Sequence, residues 1–148
     1  MTLNELRDYL SQQGCDFEII KQEEPIIKTS DAAKYFDIDK AAPTFVMDTD
    51  QGLVAFIASS QRGRIDFKAI KQSLGFSKLS MADRIKIRES TGYEAGAIPL
   101  VGLSLPCIFD TMLLKEDCIY GGSGDVLHTL KISPNDVYRL NSVQWEIS

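Results

Sequence analysis

The stretch from Thr91 to Gly102, TGYEAGAIPLVG, offers chemistry through its main chain rather than its side chains. Gly92, Gly96 and Gly102 stand with Pro99 among small residues, so backbone amides are the principal polar groups available. Glycine has no Cβ to obstruct a ligand and tolerates positive φ, which lets such a loop bring amides against a substrate. By composition alone, a plain connecting turn accounts for it as well. A nucleophilic triad would have to use His128, the only histidine. It lies in VLHTLKI, where strand alternation turns it to the face opposite Leu127 and Thr129, so a structural or surface histidine is the simpler reading. GGSGD at 121–125 is glycine-rich but opens no helix, and reads as a hairpin turn. Asp110 stands inside the apolar run CIFDTMLL, where a carboxylate is costly to bury without donors. Either it faces solvent from a strand, or donors hold it near a site. Neither an H-E-x-x-H, nor a Walker loop, nor a dinucleotide-binding glycine fingerprint is present.

Cys15, Cys107 and Cys118 form an odd set with no C-x-x-C spacing, which argues against a disulfide framework or a zinc site and for buried free thiols. The chain of 148 residues suits one domain, 1–148, with 44% hydrophobic and 25% charged residues. It holds no run long enough for a membrane helix, and MTLNELRDYL lacks a signal-peptide layout, so a cytoplasmic location is expected. The net charge of −5 argues against coating nucleic acid by charge alone. Within residues 62–89, however, eight bases face three acids, leaving that window at +5: either a solvated helical face or a docking surface for phosphates.

The elements that must position these residues read as follows. Thr2 and Glu5 have capping-box spacing ahead of Leu6 and Leu10, predicting a helix at about 3–13 that Gly14 closes. DFEIIK reads as a strand at 16–21, and SDAAKYF as a short helix capped by Ser30 or Thr29, with Ala32, Ala33 and Phe36 inward. TFVMD, the turn TDQG and LVAFIAS give the clearest hairpin signal. A helix is expected from Arg64 to Gly75. Another follows, with Ser80 and Asp83 at capping-box spacing, ending at Gly92. GLSLP, CIFDTMLL, DCIYGG and VLHTLKIS are strand-like, Ser133-Pro134 opens a last helix, and VQWEIS is a candidate final strand. Strands clustered in hairpin-like groups among helices point to an α+β fold with a mostly antiparallel or mixed sheet.

Laid end to end, DAAKYF, TFVM and the block RIDFKAIKQSLGFSKLSMADRIKIRESTGYEAGAIPLVG resemble the YbaK family, which includes the prolyl-tRNA synthetase editing domain and its free-standing relatives. Asp110, GGSG and KISPNDV extend the likeness over roughly residues 29–140. The resemblance implies a single compact α+β domain with a central, barrel-like mixed sheet flanked by helices. It also implies hydrolysis of the ester joining a small mischarged amino acid, of the alanine or cysteine class, to the 3′ end of proline tRNA or a related tRNA. Its partner is then aminoacyl-tRNA, with or without a cognate synthetase, and no membrane, and the resemblance implies no metal and no cofactor.

By the same resemblance, the family's glycine-to-proline loop maps to Gly96–Leu100, and the substrate-binding set becomes Thr44, Gly96, Ala97, Ile98, Pro99, Asp110, Gly122, Ser123 and Gly124. Arg84, Lys86 and Arg88 become the tRNA contacts. Three positions depart from the family pattern. The lysine that editing members carry ahead of a Thr or Asn is here Pro43, before Thr44; the loop's closing proline is Leu100, with Pro99 one step early; and the histidine of some free-standing members is Glu24. Lys40 and Lys28 are the nearby cations that could substitute, and no catalytic residue is assigned. The alternative is a catalytically impaired member that keeps the pocket to bind an aminoacyl or nucleotide-like ligand, or a module whose basic face meets an acidic protein partner.

Overall fold

A computed structural model of the chain describes residues 1–26 and 29–148. Helix α1 (Leu3–Gln12) begins at the expected capping box: Thr2 Oγ1 accepts from the Glu5 N–H at 3.2 Å, and Glu5 Oε1 from the Thr2 N–H at 3.0 Å. Its Leu6 and Leu10 are fully buried, each contributing about 2 kcal/mol of apolar burial. Strand β1 (Phe17–Lys21) follows.

Helix α2 (Thr29–Ala32) is shorter than SDAAKYF, because the chain continues as turns closed by the Tyr35 and Phe36 N–H groups on the Ala32 carbonyl. Ala32 is buried as expected, but Ala33 is exposed. Thr29 and Ser30, the expected caps, are instead the first two residues of the helix, and the position ahead of it lies outside the described residues. The hairpin is as expected: β2 (Thr44–Thr49) pairs antiparallel with β3 (Gly52–Ile57) across Asp50-Gln51.

Helix α3 (Phe67–Leu74) starts three residues later than Arg64, because Asp66 takes the N-cap and accepts from the Ala69 N–H. A short strand that sequence did not foresee, β4 (Leu79–Met81), pairs with β2. In α4 (Arg84–Thr91) Asp83 is the N-cap itself, accepting from the Lys86 N–H at 2.9 Å, and not the third helical residue of a box opened by Ser80. GLSLP forms no strand; β5 (Pro106–Asp110) begins at its final proline, and the rest of CIFDTMLL is a 3-10 turn. β6 (Ile119–Gly122) and β7 (His128–Ile132) form the hairpin expected around GGSGD. α5 (Pro134–Leu140), capped by Ser133, and β8 (Ser142–Ile147) complete the chain.

The α+β assignment with a mixed sheet holds, in a particular form. Five strands, in the order β4-β2-β3-β5-β8, make a mixed sheet, antiparallel about β2 and parallel from β3 through β8. Three more, β1-β7-β6, make a second, antiparallel sheet. The two meet where Ala41 bridges Tyr120 and the Ala42 N–H donates to the Tyr120 carbonyl at 2.7 Å. Leu6, Leu10, Leu100, Phe109, Leu130 and Val137 fill the main core. Among the described residues, no helix is long and apolar enough to cross a membrane.

Candidate active site

A cavity of about 730 Å³ opens where the sheets meet. Its walls come from the start of β2, the turn after β3, the N-terminal end of α4, the glycine loop, β6, and the turn into β7. Of the residues selected from sequence, Pro43, Thr44, Gly96, Ala97, Ile98, Gly122 and Arg84 line it.

The glycine loop takes its place because β6 has no side chains where the loop passes. Ala95–Ala97 form a 3-10 turn, Ala97 through Leu100 are buried, and the Leu100 N–H donates to the Gly122 carbonyl at 2.9 Å. A Cβ on Gly122 would stand 1.8 Å from the Ile98 carbonyl oxygen, and one on Gly121 2.6 Å from Leu100 Cγ. The Gly-Gly pair is therefore the seat of the loop as well as the start of a turn. Gly96, by contrast, has nothing within 4 Å of a Cβ position.

Thr44 Oγ1 is buried and has no hydrogen-bond partner among the described residues, although Thr44 borders the cavity. A buried hydroxyl without a partner loses its hydration and regains nothing in exchange, unless a ligand supplies the missing bond. Thr44→Val should therefore leave thermal stability unchanged or slightly raised while weakening ligand binding about tenfold, the equivalent of one hydrogen bond of about 1–1.5 kcal/mol. Thermal melts paired with binding or turnover assays check this; a destabilised Val variant would mean that the hydroxyl serves the fold.

Asp110 proves to be held by donors and does not face solvent. Fully buried, it accepts from the Ser59 N–H (3.0 Å), Arg62 Nε (2.7 Å), Arg62 Nη2 (2.9 Å) and the Met112 N–H (3.1 Å). Burial pushes its carboxyl up, but the Arg62 fork and the two backbone donors outweigh that and hold it below the usual range. It lies behind the cavity wall, where it fixes the turn that presents Ser59 and Ser60. Pro99, Ser123 and Gly124 also stand outside the lining, as do Lys86 and Arg88.

The basic window is less available than its charge suggests. Arg62 is spent on Asp110, Lys86 and Lys78 share Asp48 at 2.9 and 3.4 Å, and Arg88 pairs with Glu94. Arg84 is exposed, lines the cavity and makes no ion pair among the described residues. Of the two cations considered as substitutes near Pro43, Lys40 is bound to Asp117 at 2.7 Å away from the cavity, and Lys28 lies outside the described residues. The thiols differ from expectation, since only Cys107 is buried, where desolvation pushes it up to about 12 and leaves it inert. Cys15 and Cys118 are half-buried.

Asp125 and His128, read from sequence as part of a hairpin turn and as a structural or surface histidine, border the cavity together with Gln22 and Thr129. His128 Nδ1 lies 3.0 Å from Asp125 Oδ1. His128 and Thr129 occupy successive positions of β7, on opposite faces as expected, and both border the cavity because the strand begins at its rim. The signal available in sequence was the Asp-x-x-His spacing directly after GGSG.

These features define a single α+β domain with a cavity walled on one side by main chain from a glycine loop. Residues 23–140 match the family described as the aminoacyl-tRNA editing domain, and the chain belongs to that family. The fold is shared with a crystal structure described as a candidate trans-editing enzyme for prolyl tRNA synthetase, at 20% identity and a TM-score of 0.82, covering 99% of this chain and 94% of that one. It is shared equally with the hypothetical protein APE2540, at 20% identity and a TM-score of 0.83, covering 96% of this chain and 97% of that one. A scaffold protein used for epitope grafting has the same fold at 18% identity and a TM-score of 0.81, covering 99% and 94% of the two chains.

Proposed function

We propose that the chain, acting as one editing domain over residues 1–148, is a trans-acting aminoacyl-tRNA deacylase. It would hydrolyse the ester of a small mischarged amino acid, of the alanine or cysteine class, on proline tRNA or a related tRNA. The observation that carries the reading is the juxtaposition, in one cavity, of the Ala95–Ile98 main chain with the unpartnered Thr44 hydroxyl. Ester hydrolysis develops negative charge on the carbonyl oxygen, and fixed amides beside it stabilise that charge without reorganising. Ala42, Ala82, Ala95 and Ala97 keep the walls short, which suits a small side chain. Arg84 supplies a cation at the cavity for the phosphate or carbonyl of the tRNA terminus. A solved neighbour of the same fold is described as acting in trans-editing, which agrees with this reading, and we place the protein in the cytoplasm with its substrate.

Purified protein given alanyl-, cysteinyl- and seryl-tRNA is expected to release at least one amino acid faster than buffer does; failure on all three ends the reading. A second reading, a binding module without catalysis, draws on Pro43, a residue with no ammonium at the cavity edge. Pro43 is exposed, so Pro43→Lys disturbs little of the fold. With Arg84 as the working cation, that variant should change deacylation only modestly. A silent parent switched on by Pro43→Lys would instead favour the binding module.

A further inference from the structure

We propose that Gln22 and Thr129 form a polar floor to the acyl pocket that selects a hydroxyl-bearing side chain. The proposal rests on the deacylase reading above and names serine, rather than alanine or cysteine, as its small amino acid. Strand register puts the pair on the cavity side of the second sheet. Ile19, Leu130 and Ile132 of that sheet pack in the main core. Alternation therefore turns Thr129 to the other face, together with Ile20 and Gly122, its register partners on β1 and β6. Gln22 follows Ile20 by two residues and shares that face, its N–H donating to the Leu127 carbonyl at 2.8 Å. Gln22 and Thr129 both line the cavity, and each is only 4% exposed.

The pair lies beside the glycine loop. Directly opposed residues of an antiparallel ladder stand about 5 Å apart at Cβ, so Thr129 Cβ is about that far from the Cβ position of Gly122. That position is 1.8 Å from the Ile98 carbonyl oxygen. A side chain as short as serine's, on an ester seated against Ala97 and Ile98, spans the remaining gap.

Hydrogen bonds within the pair leave one donor and one acceptor for a ligand. Gln22 Nε2 donates to the Val126 carbonyl at 3.0 Å, and because a carbonyl only accepts, this contact fixes which way the amide points. Thr129 Oγ1 then donates to Gln22 Oε1 at 2.7 Å. Among the described residues, nothing engages the second Nε2 proton of Gln22 or the lone pairs of Thr129 Oγ1. A serine hydroxyl can accept from the first and donate to the second. An alanyl methyl in the same place takes both groups out of water and returns no hydrogen bond, and a site built to bond a hydroxyl discriminates against the analogue that lacks it. Cysteine gains little, because its thiol is a weak donor and a weak acceptor. Gln22 and Thr129 are thus specificity residues, and neither takes part in bond breaking.

The test measures kcat/KM of the full chain on seryl-, alanyl- and cysteinyl-tRNA built on one tRNA. The seryl ester is expected to be favoured about tenfold over each of the others, the discrimination that one net hydrogen bond supplies. The double variant Gln22→Leu with Thr129→Val replaces both partners by apolar groups of similar shape, a change close to neutral for stability. It is expected to lose the preference, its seryl rate falling to the alanyl rate while the alanyl rate holds. A pair that served only to fasten β1 to β7 would move all three rates together and leave their ratio unchanged. Circular dichroism confirms that the double variant folds, and if it does not, the wild-type ranking decides alone. Wild-type protein that hydrolyses alanyl- or cysteinyl-tRNA as well as seryl-tRNA overturns the assignment and leaves the deacylase reading intact. A folded double variant with the wild-type ratio overturns it equally. Wild-type protein inactive on all three substrates overturns both.

Discussion

Gly122→Ala is expected to abolish the shape of the cavity while leaving most of the fold in place. A Cβ there would meet the Ile98 carbonyl oxygen at 1.8 Å and its carbon at 2.7 Å, and both belong to main chain that cannot rotate away as a side chain would. The loop must move off β6, which breaks the Leu100 N–H bond to the Gly122 carbonyl and withdraws the Ala97 and Ile98 backbone from the cavity. Gly122 has an ordinary φ, so the effect is steric and owes nothing to backbone strain. Overpacking of this kind costs about 1–3 kcal/mol, and the direct backbone collision puts this case at the upper end. Ligand binding or deacylation should fall further than stability does, on the order of 10²-fold, since a displacement of about 1 Å in a positioning element has that consequence.

Two companions make the result specific. Gly121→Ala collides with the Leu100 side chain at 2.6–2.8 Å, so Leu100→Ala should relieve it in a double-mutant cycle. The same Leu100→Ala should not rescue Gly122→Ala, whose obstacle is backbone. Gly96→Ala, with open space around its Cβ position, should melt with the wild type. Chemical denaturation of wild type and these six variants, with deacylation assays alongside, reads all of this, and a Gly122→Ala protein of wild-type stability and function would show that the loop does not depend on this seat.

The same comparison shows what the sequence could and could not reveal. The β2–β3 hairpin was legible because alternation and a polar turn are local signals, and so was the Thr2–Glu5 capping box, whose partners are three residues apart. β4 was not, because three residues with two of them exposed carry no period; it exists through its pairing with β2. Asp83 shows how a correct motif spacing can be misplaced by one role: the residue does cap α4, but as the N-cap. At the site, the loop and Thr44 followed from the resemblance, whereas the seat for the loop at Gly122 and the Asp125–His128 pair required spatial knowledge. Gly122 and Ile98 are distant in sequence, and nothing local says that a carbonyl passes over a glycine. Likewise, alternation assigned His128 a face without saying that a cavity begins at that end of β7. Charge counting misled in the same way, because three of the cations in the basic window turned to Asp48 and Asp110, outside the window.

Arg62→Met is expected to destabilise the protein by about 3 kcal/mol, because it leaves the fully buried Asp110 carboxylate without its counter-charge. Methionine keeps much of the apolar stem, so the loss reports the charge and the two guanidinium hydrogen bonds rather than a cavity. The pH dependence follows from the direction of the Asp110 shift. Its folded carboxyl titrates below the ordinary 3.8, so the pair's contribution is fully present above that value and is lost as pH falls toward the lowered one. Without Arg62, burial is opposed only by the Ser59 and Met112 N–H groups, the folded carboxyl titrates higher, and the acid unfolding midpoint should move up in pH. Because Asp110 anchors the Ser59 N–H, the cavity wall carrying Ser59 and Ser60 should loosen as well, and amide exchange there should quicken. The double variant Arg62→Met with Asp110→Leu removes the stranded charge and should recover part of the lost stability. Urea melts across pH on the two variants decide it: a single variant within 1 kcal/mol of wild type, with an unmoved acid midpoint, would mean that the two backbone donors hold Asp110 unaided.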